Sequence, residues 1–129
     1  HRQEILDEMI QLDDKFKPRV VFTPMRNDMH QDHQVITNEA VRAFKKCTIL
    51  GYEMVWNNLA PILNTFVPVS KTDLFYKMKA FKEYKSQANR AYYQNADIFL
   101  SLAQVRGLQC GVDYAEAFEC IKLVAPFEL

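Results

Sequence analysis

The stretch Val20-Val21-Phe22-Thr23-Pro24-Met25-Arg26-Asn27-Asp28-Met29-His30-Gln31-Asp32-His33-Gln34 decides the architecture. Val20-Val21-Phe22 is a short, continuous apolar run rich in β-branched side chains, and it predicts a buried strand. Pro24 to Gln31 is polar and has no periodicity, which predicts a loop. From Asp32 to Lys46 the residues Ile36, Ala40, Ala43 and Phe44 recur on one side, which predicts a helix. A strand, a loop and a helix in that order make the unit of an α/β protein. In open α/β sheets, ligands bind in the loops beyond the carboxyl ends of the strands.

Working outward, Arg2 to Phe16 predicts an amphipathic helix, with Ile5, Met9 and Leu12 at helical spacing and Ile10 widening the face. Lys17-Pro18 ends it, because proline disfavours helix in the residue before it. Ile49 to Trp56 predicts a second strand, broken by Asn57-Asn58 and Pro61. Thr65 to Val69 predicts a short strand that Pro68 confines to an edge or makes irregular. Lys71 to about Tyr92 predicts a helix through Leu74, Met78 and Phe81. Asp97 to Leu108 predicts another, stopped by Gly107 or Gly111. In Ala115 to Val124, Ala117, Glu119 and Ile121 alternate with Phe118, Cys120 and Lys122, which predicts a final strand. The sum is an α/β unit with helices flanking a small sheet.

The 129 residues suffice for one domain with one core. Lys and Arg total 16, as do Asp and Glu, so the net charge is zero. That argues against a nucleic-acid surface, whose affinity comes from clustered cations. No apolar run approaches a membrane span, and the start does not read as a secretory leader. Cys47, Cys110 and Cys120 are odd in number and lack CxxC spacing. They read as reduced, buried thiols of a cytoplasmic protein rather than as catalysts.

His30 and His33 stand at i and i+3 with Asp32 between them. On a helix such positions share a face, with Cβ atoms roughly 5–6 Å apart. One imidazole is then suited to bind a metal such as zinc. The other is suited to donate a proton or stabilise developing charge. A neighbouring carboxylate can fix a histidine tautomer. The plain alternative is a solvent-exposed turn in which Asp32 or Asp28 caps the helix. Two histidines also do not complete a catalytic zinc site, which normally has three protein ligands. His1, the third histidine, is terminal and a poor candidate for the missing one.

Phe22-Thr23-Pro24, Asn27-Asp28 and His30-Gln31-Asp32-His33-Gln34 together resemble the second signature of the PIG-L/LmbE-like N-deacetylases. Lys79-Ala80 with Tyr84-Lys85-Ser86-Gln87, and Arg106-Gly107 with Tyr114-Ala115-Glu116-Ala117-Phe118, resemble the family's later segments in the same order. The resemblance implies a Rossmann-like layered sheet flanked by helices. It also implies removal of an acetyl group from an N-acetylated amino sugar with zinc or another divalent metal. On matching positions, it makes His33 a metal ligand. His30 becomes the charged imidazole that stabilises the tetrahedral intermediate or protonates the leaving amine, and Asp32 the residue that orients and tunes His30. The metal would polarise the amide carbonyl and supply hydroxide.

The sequence departs from the family in one large respect. The family's first signature, His-Pro-Asp-Asp, supplies further ligands and the general base, and it does not occur here. Asp13-Asp14 lies at the end of a helix with no preceding His-Pro and reads as a solvated face. The expectation is therefore that residues 1–129 form the C-terminal portion of a single deacetylase domain, inactive alone, with exposed sheet edges that favour a homo-oligomer.

Arg26 and Asn27 are candidates for contacts to sugar hydroxyls, against the alternative of loop residues turned to water. Arg106 is a candidate for an anionic group, but a charge at a helix C-terminus explains it better. Tyr84, Tyr92, Tyr93 and Phe81 read as packing rather than as a sugar platform. Gln87 and Glu116 carry no chemistry readable from sequence. The competing function, of another class, is a non-catalytic binding or assembly module on a degenerate deacetylase fold.

Overall fold

The computed structural model describes residues 1–85, 89–90 and 95–125. Its elements are α1 (Arg2–Phe16), β1 (Val20–Pro24), α2 (Gln31–Ala43), β2 (Thr48–Tyr52), β3 (Thr65–Pro68), α3 (Lys71–Lys82), α4 (Ala96–Cys110) and β4 (Ala115–Lys122). The strands form one mixed sheet in the order β1-β2-β4-β3. β1 runs parallel to β2, with Val20 opposite Thr48 and Pro24 opposite Tyr52. β4 runs antiparallel to β2. This is the α/β class that the alternation of helices and strands predicts. The chain divides into two compact units, residues 1–65 with 118–129, and residues 66–117.

The core of the first unit gathers Leu6 from α1, Ala40 and Ala43 from α2, Phe44, Cys47, and Ile49 from β2. Met9, Val21 and Ile121 pack against it. Ile49 is fully buried, and burial of a side chain of that size gives roughly 1.5–3 kcal/mol. Glu39 is also fully buried. Arg2 Nε donates to its Oε1, and Arg42 Nη1 donates to its Oε2 at 2.5 Å. The hydrogen bond from Arg2 holds the Glu39 carboxyl below its ordinary range, with burial opposing and Arg42 assisting. This charge triad ties α1 to α2.

Several expectations need correction. β1 is buried only at its end: Thr23 and Pro24 are buried while Val20 and Phe22 are exposed, because these two share the face opposite Val21, which packs on the core. On α1, Leu6 is buried while Ile10 and Leu12 are exposed, so the inward stripe runs through Leu6 and Met9. α2 stops at Ala43 rather than Lys46, where Lys122 Nζ donates to the Phe44 and Lys45 carbonyls at 2.6 and 3.1 Å. β2 ends at Tyr52, short of the predicted Trp56. Cys110 is exposed and Cys120 half-buried, so only Cys47 is a buried thiol. Burial, with the nearby Asp13 carboxylate, pushes the Cys47 thiol up. Asp13 is therefore not simply solvated; its Oδ1 lies 3.6 Å from Cys47 Sγ.

The second unit is built on α3 and α4. Ser70 and Asp73 form a reciprocal capping box that starts α3. α3 ends at Lys82, well before Tyr92; Ser86, Gln87, Tyr92 and Tyr93 lie outside the described residues. α4 runs through Gly107 and ends at Cys110, with Gly111 in the left-handed region at φ 80°. Phe81 and Phe99 stack at 4.2 Å, which bears out the packing role of Phe81. Lys77 Nζ pairs with the Glu116 carboxylate, giving Glu116 an anchoring contact. Pro68 lies on β3, an edge strand, as its missing N–H leads one to expect.

Candidate functional site

The parallel pair β1 and β2 brings two loops to the same end of the sheet, one after Pro24 and one after Tyr52. The first begins with a turn closed by the Asp28 N–H on the Met25 carbonyl at 3.2 Å, which makes Arg26 and Asn27 its central residues. Thr37 Oγ1 on α2 donates to the Pro24 carbonyl at 2.8 Å. Gln34 Nε2 donates to the Asp28 carbonyl at 2.8 Å. The second loop meets the first through the Met29 N–H on the Asn57 carbonyl at 3.2 Å.

The Asp28 carboxylate is fully buried. Its Oδ1 accepts from the His30 backbone N–H at 2.8 Å. Its Oδ2 lies 2.7 Å from His33 Nδ1, and Asn57 Nδ2 donates to the same oxygen at 3.5 Å. A carboxylate accepts, so in the neutral ring Nδ1 of His33 carries the proton and Nε2 a lone pair.

His30 is arranged in the opposite sense. It is the N-cap of α2, and its Nδ1 accepts from the Asp32 backbone N–H at 3.2 Å. A nitrogen that accepts is unprotonated, so in the neutral ring the proton sits on Nε2. The two rings stack with centroids 4.7 Å apart and an interplanar angle of 25°. One imidazole thus offers a lone pair and its neighbour a proton. Neither aspartate caps the helix; His30 does.

Asp32 contacts His30 through its backbone. Its carboxylate is 77% exposed and lies 4.0 Å from His30 Nδ1. Asn27 is committed to the loop: its amide nitrogen donates to the Ala60 carbonyl and its oxygen accepts from Asn58 Nδ2 at 3.3 Å. Arg26 is 56% exposed and pairs with Glu119, which is fully buried. Arg106 Nη1 donates to Gln109 Oε1, three residues along α4, at 3.1 Å.

Two residues escaped the sequence reading as parts of this site. Asp28 stood in the family resemblance and as an alternative helix cap but without a role at the site, because that role needs the turn that brings its carboxylate to His33. Glu119 left a usable signal: strand alternation places it on the face of Ala117 and Ile121, and a charge between two apolar positions facing inward requires a buried partner.

Among the described residues, no group of three His, Cys, Asp or Glu side chains is placed to hold a metal ion. His33 fits one ligand position, since a carboxylate on the far nitrogen of a histidine is the usual support for a ligating imidazole. The described set does not amount to a whole metal site.

No family model matches the sequence, and no curated protein does. The fold is shared with solved structures, among them two that cover nearly all of this chain. A conserved protein from Thermus thermophilus is 20% identical with a TM-score of 0.72, covering 98% of this chain and 63% of that one. The N,N'-diacetylchitobiose deacetylase of Pyrococcus horikoshii is 20% identical with a TM-score of 0.68, covering 99% of this chain and 56% of that one. The chain therefore spans less than two thirds of the length of either. No helix among the described residues is long and apolar enough to cross a membrane.

Proposed function

We propose that this chain belongs to an N-deacetylase of the PIG-L/LmbE-like kind, hydrolysing the acetamide of an N-acetylated amino sugar. The observation that carries the reading is the Asp28–His33 contact at 2.7 Å beside the stacked His30. The similarity in fold to a chitobiose deacetylase supports the choice of substrate class. Since the chain spans 63% and 56% of its two structural neighbours, we read it as the C-terminal portion of a longer deacetylase domain.

Amide hydrolysis has two demands that these residues meet. Charge develops on the carbonyl oxygen, and the departing nitrogen needs a proton. The Nε2–H of His30 is suited to either task. Its ring is held by the Asp32 N–H, by stacking on His33 and by the Asp28 contact to its backbone, so little reorganisation is needed. Asp28 fixes His33 with a lone pair outward, ready to ligate a divalent ion such as zinc. Such an ion, held by further donors as well, would polarise the carbonyl and supply hydroxide at neutral pH.

The test is acetate release from N-acetylglucosamine and N,N'-diacetylchitobiose by the full-length protein, with and without a chelator. The reading predicts release that the chelator abolishes and that His33→Ala removes. Undiminished release by His33→Ala, or none from any N-acetyl sugar by the metal-loaded wild type, would sink it and favour a non-catalytic module.

A further inference from the structure

We propose that the outward face of α3 docks the protein on an anionic lipid surface, with Phe75 and Tyr76 entering the interfacial layer and lysines meeting the headgroup phosphates.

The face follows from helix geometry. Leu74 is buried, and Met78 and Phe81 are half-buried at helical spacing from it. Phe75, Tyr76, Lys79 and Lys82 fall off that row, and all four are exposed. Phe75 keeps 59% and Tyr76 62% of its surface in water. Single exposed apolar residues carry no meaning, but these form one cluster. The two rings meet with centroids 5.7 Å apart, and Lys79 Nζ stands over the Phe75 ring, 5.6 Å from its centroid.

The charge on this helix is one-sided. α3 carries Lys71, Lys77, Lys79 and Lys82 against a single acid, Asp73. Asp73 is committed to the helix start, where the Ser70 N–H and hydroxyl both donate to its Oδ2 at 2.7 Å. Lys77 is committed to Glu116. Lys71 and Lys82 make no ion pair among the described residues. Glu83 follows at the C-cap, flanked by Lys82 and the exposed Lys85. Residues 71–85 thus hold five lysines against two acids, in a chain whose net charge is zero.

Beside this cluster lies an apolar cavity of about 370 Å³. It is shared by Phe75, Met78, Leu100 and Tyr114, with Lys71 and Asp97 as its charged lining. The exposed ring of Phe75 therefore borders further apolar surface.

An anionic bilayer fits these features better than another polyanion does. Its interface accepts aromatic rings at the acyl boundary and presents phosphates within reach of lysine stems. Recognition of phosphate through planar forks uses arginine, and α3 has none. Bases of a nucleic acid stack on open ring faces. Here Tyr76 meets Phe75 at 68°, and Lys79 occupies a face of the Phe75 ring. The docking does not depend on the deacetylase reading, since it needs no acetate release to be observed.

The experiment is vesicle co-sedimentation of the full-length protein. One set of vesicles is phosphatidylcholine alone, and the other is phosphatidylcholine mixed with phosphatidylglycerol. The mixed vesicles are expected to carry the protein down at low salt and release it at high salt, whereas the neutral vesicles leave it in solution. Lys79→Gln and Lys82→Gln should each weaken binding about fivefold. Phe75→Ser and Tyr76→Ser should each weaken it without changing its salt dependence, which separates ring insertion from charge. Far-UV circular dichroism checks that each variant is folded. Equal sedimentation with both vesicles, none with either, or undiminished binding in folded Phe75→Ser and Lys79→Gln would each overturn the inference. So would a preference for a single-stranded oligonucleotide over the mixed vesicles in competition.

Discussion

Asp28 Oδ2 and His33 Nδ1 are 2.7 Å apart, and the carboxylate has no exposure to water while the imidazole keeps 26% of its own. The acid is inside and the base faces out. That asymmetry is what a residue positioned to act on a ligand requires. Replacing Asp28 by Asn keeps the shape but removes the charge that selects the tautomer. In the full-length protein, the proposed acetate release is expected to fall about 10- to 100-fold in kcat/KM in Asp28→Asn, with an unchanged far-UV circular dichroism spectrum. Full activity in that variant would show that His33 needs no such partner.

His30 has two jobs that substitution can separate. Its Nδ1 caps α2 through the Asp32 N–H at 3.2 Å, while its ring stacks on His33. His30→Asp supplies another good cap and should leave stability within about 1 kcal/mol, yet abolish acetate release. His30→Ala should lose activity and also about 1 kcal/mol of stability. Urea unfolding beside the activity assay reads both effects. Retained activity in His30→Asp would assign the residue to capping alone.

Gly51 is expected to tolerate no side chain. A Cβ would lie 2.9 Å from the Met25 Cα, which is backbone and cannot swing away. Gly51→Ala should destabilise by about 1–3 kcal/mol, measured by urea unfolding, and should loosen the turn that carries Arg26. A neutral effect would mean that β1 and β2 can slide apart.

The buried Glu39 predicts an acid-sensitive contact between α1 and α2. Its carboxyl is held below the ordinary range, first by the hydrogen bond from Arg2. A carboxyl depressed in the folded state contributes stability that is present above its unfolded value and lost as pH falls through its folded value. The stability advantage of wild type over Glu39→Gln should therefore be full near neutrality and shrink as pH drops below the usual carboxylate range. An advantage that is constant with pH would contradict the triad.

Much of this layout was legible because local signals agreed. Proline and helical spacing bounded α1 at Phe16, and the spacing of Leu74 and Met78 placed α3. Sheet position was less legible. Val20-Val21-Phe22 has a composition equally suited to a central strand and to an edge, and only the order β1-β2-β4-β3 separates them. The His30–His33 spacing announced the site, but its supporting acids did not. Asp28 acts across a turn five residues before His33, and Glu119 acts from 93 residues away; such roles depend on chain reversal, which periodicity does not encode.

β4 supplies two of the fastenings that hold the histidine loop and its helix. Glu119 clamps Arg26 at one end, and Lys122 seizes the Phe44 and Lys45 carbonyls at the other. During synthesis the loop emerges long before either fastening exists. A nascent chain therefore carries this loop without these two fastenings until β4, 93 residues beyond Arg26, has been made.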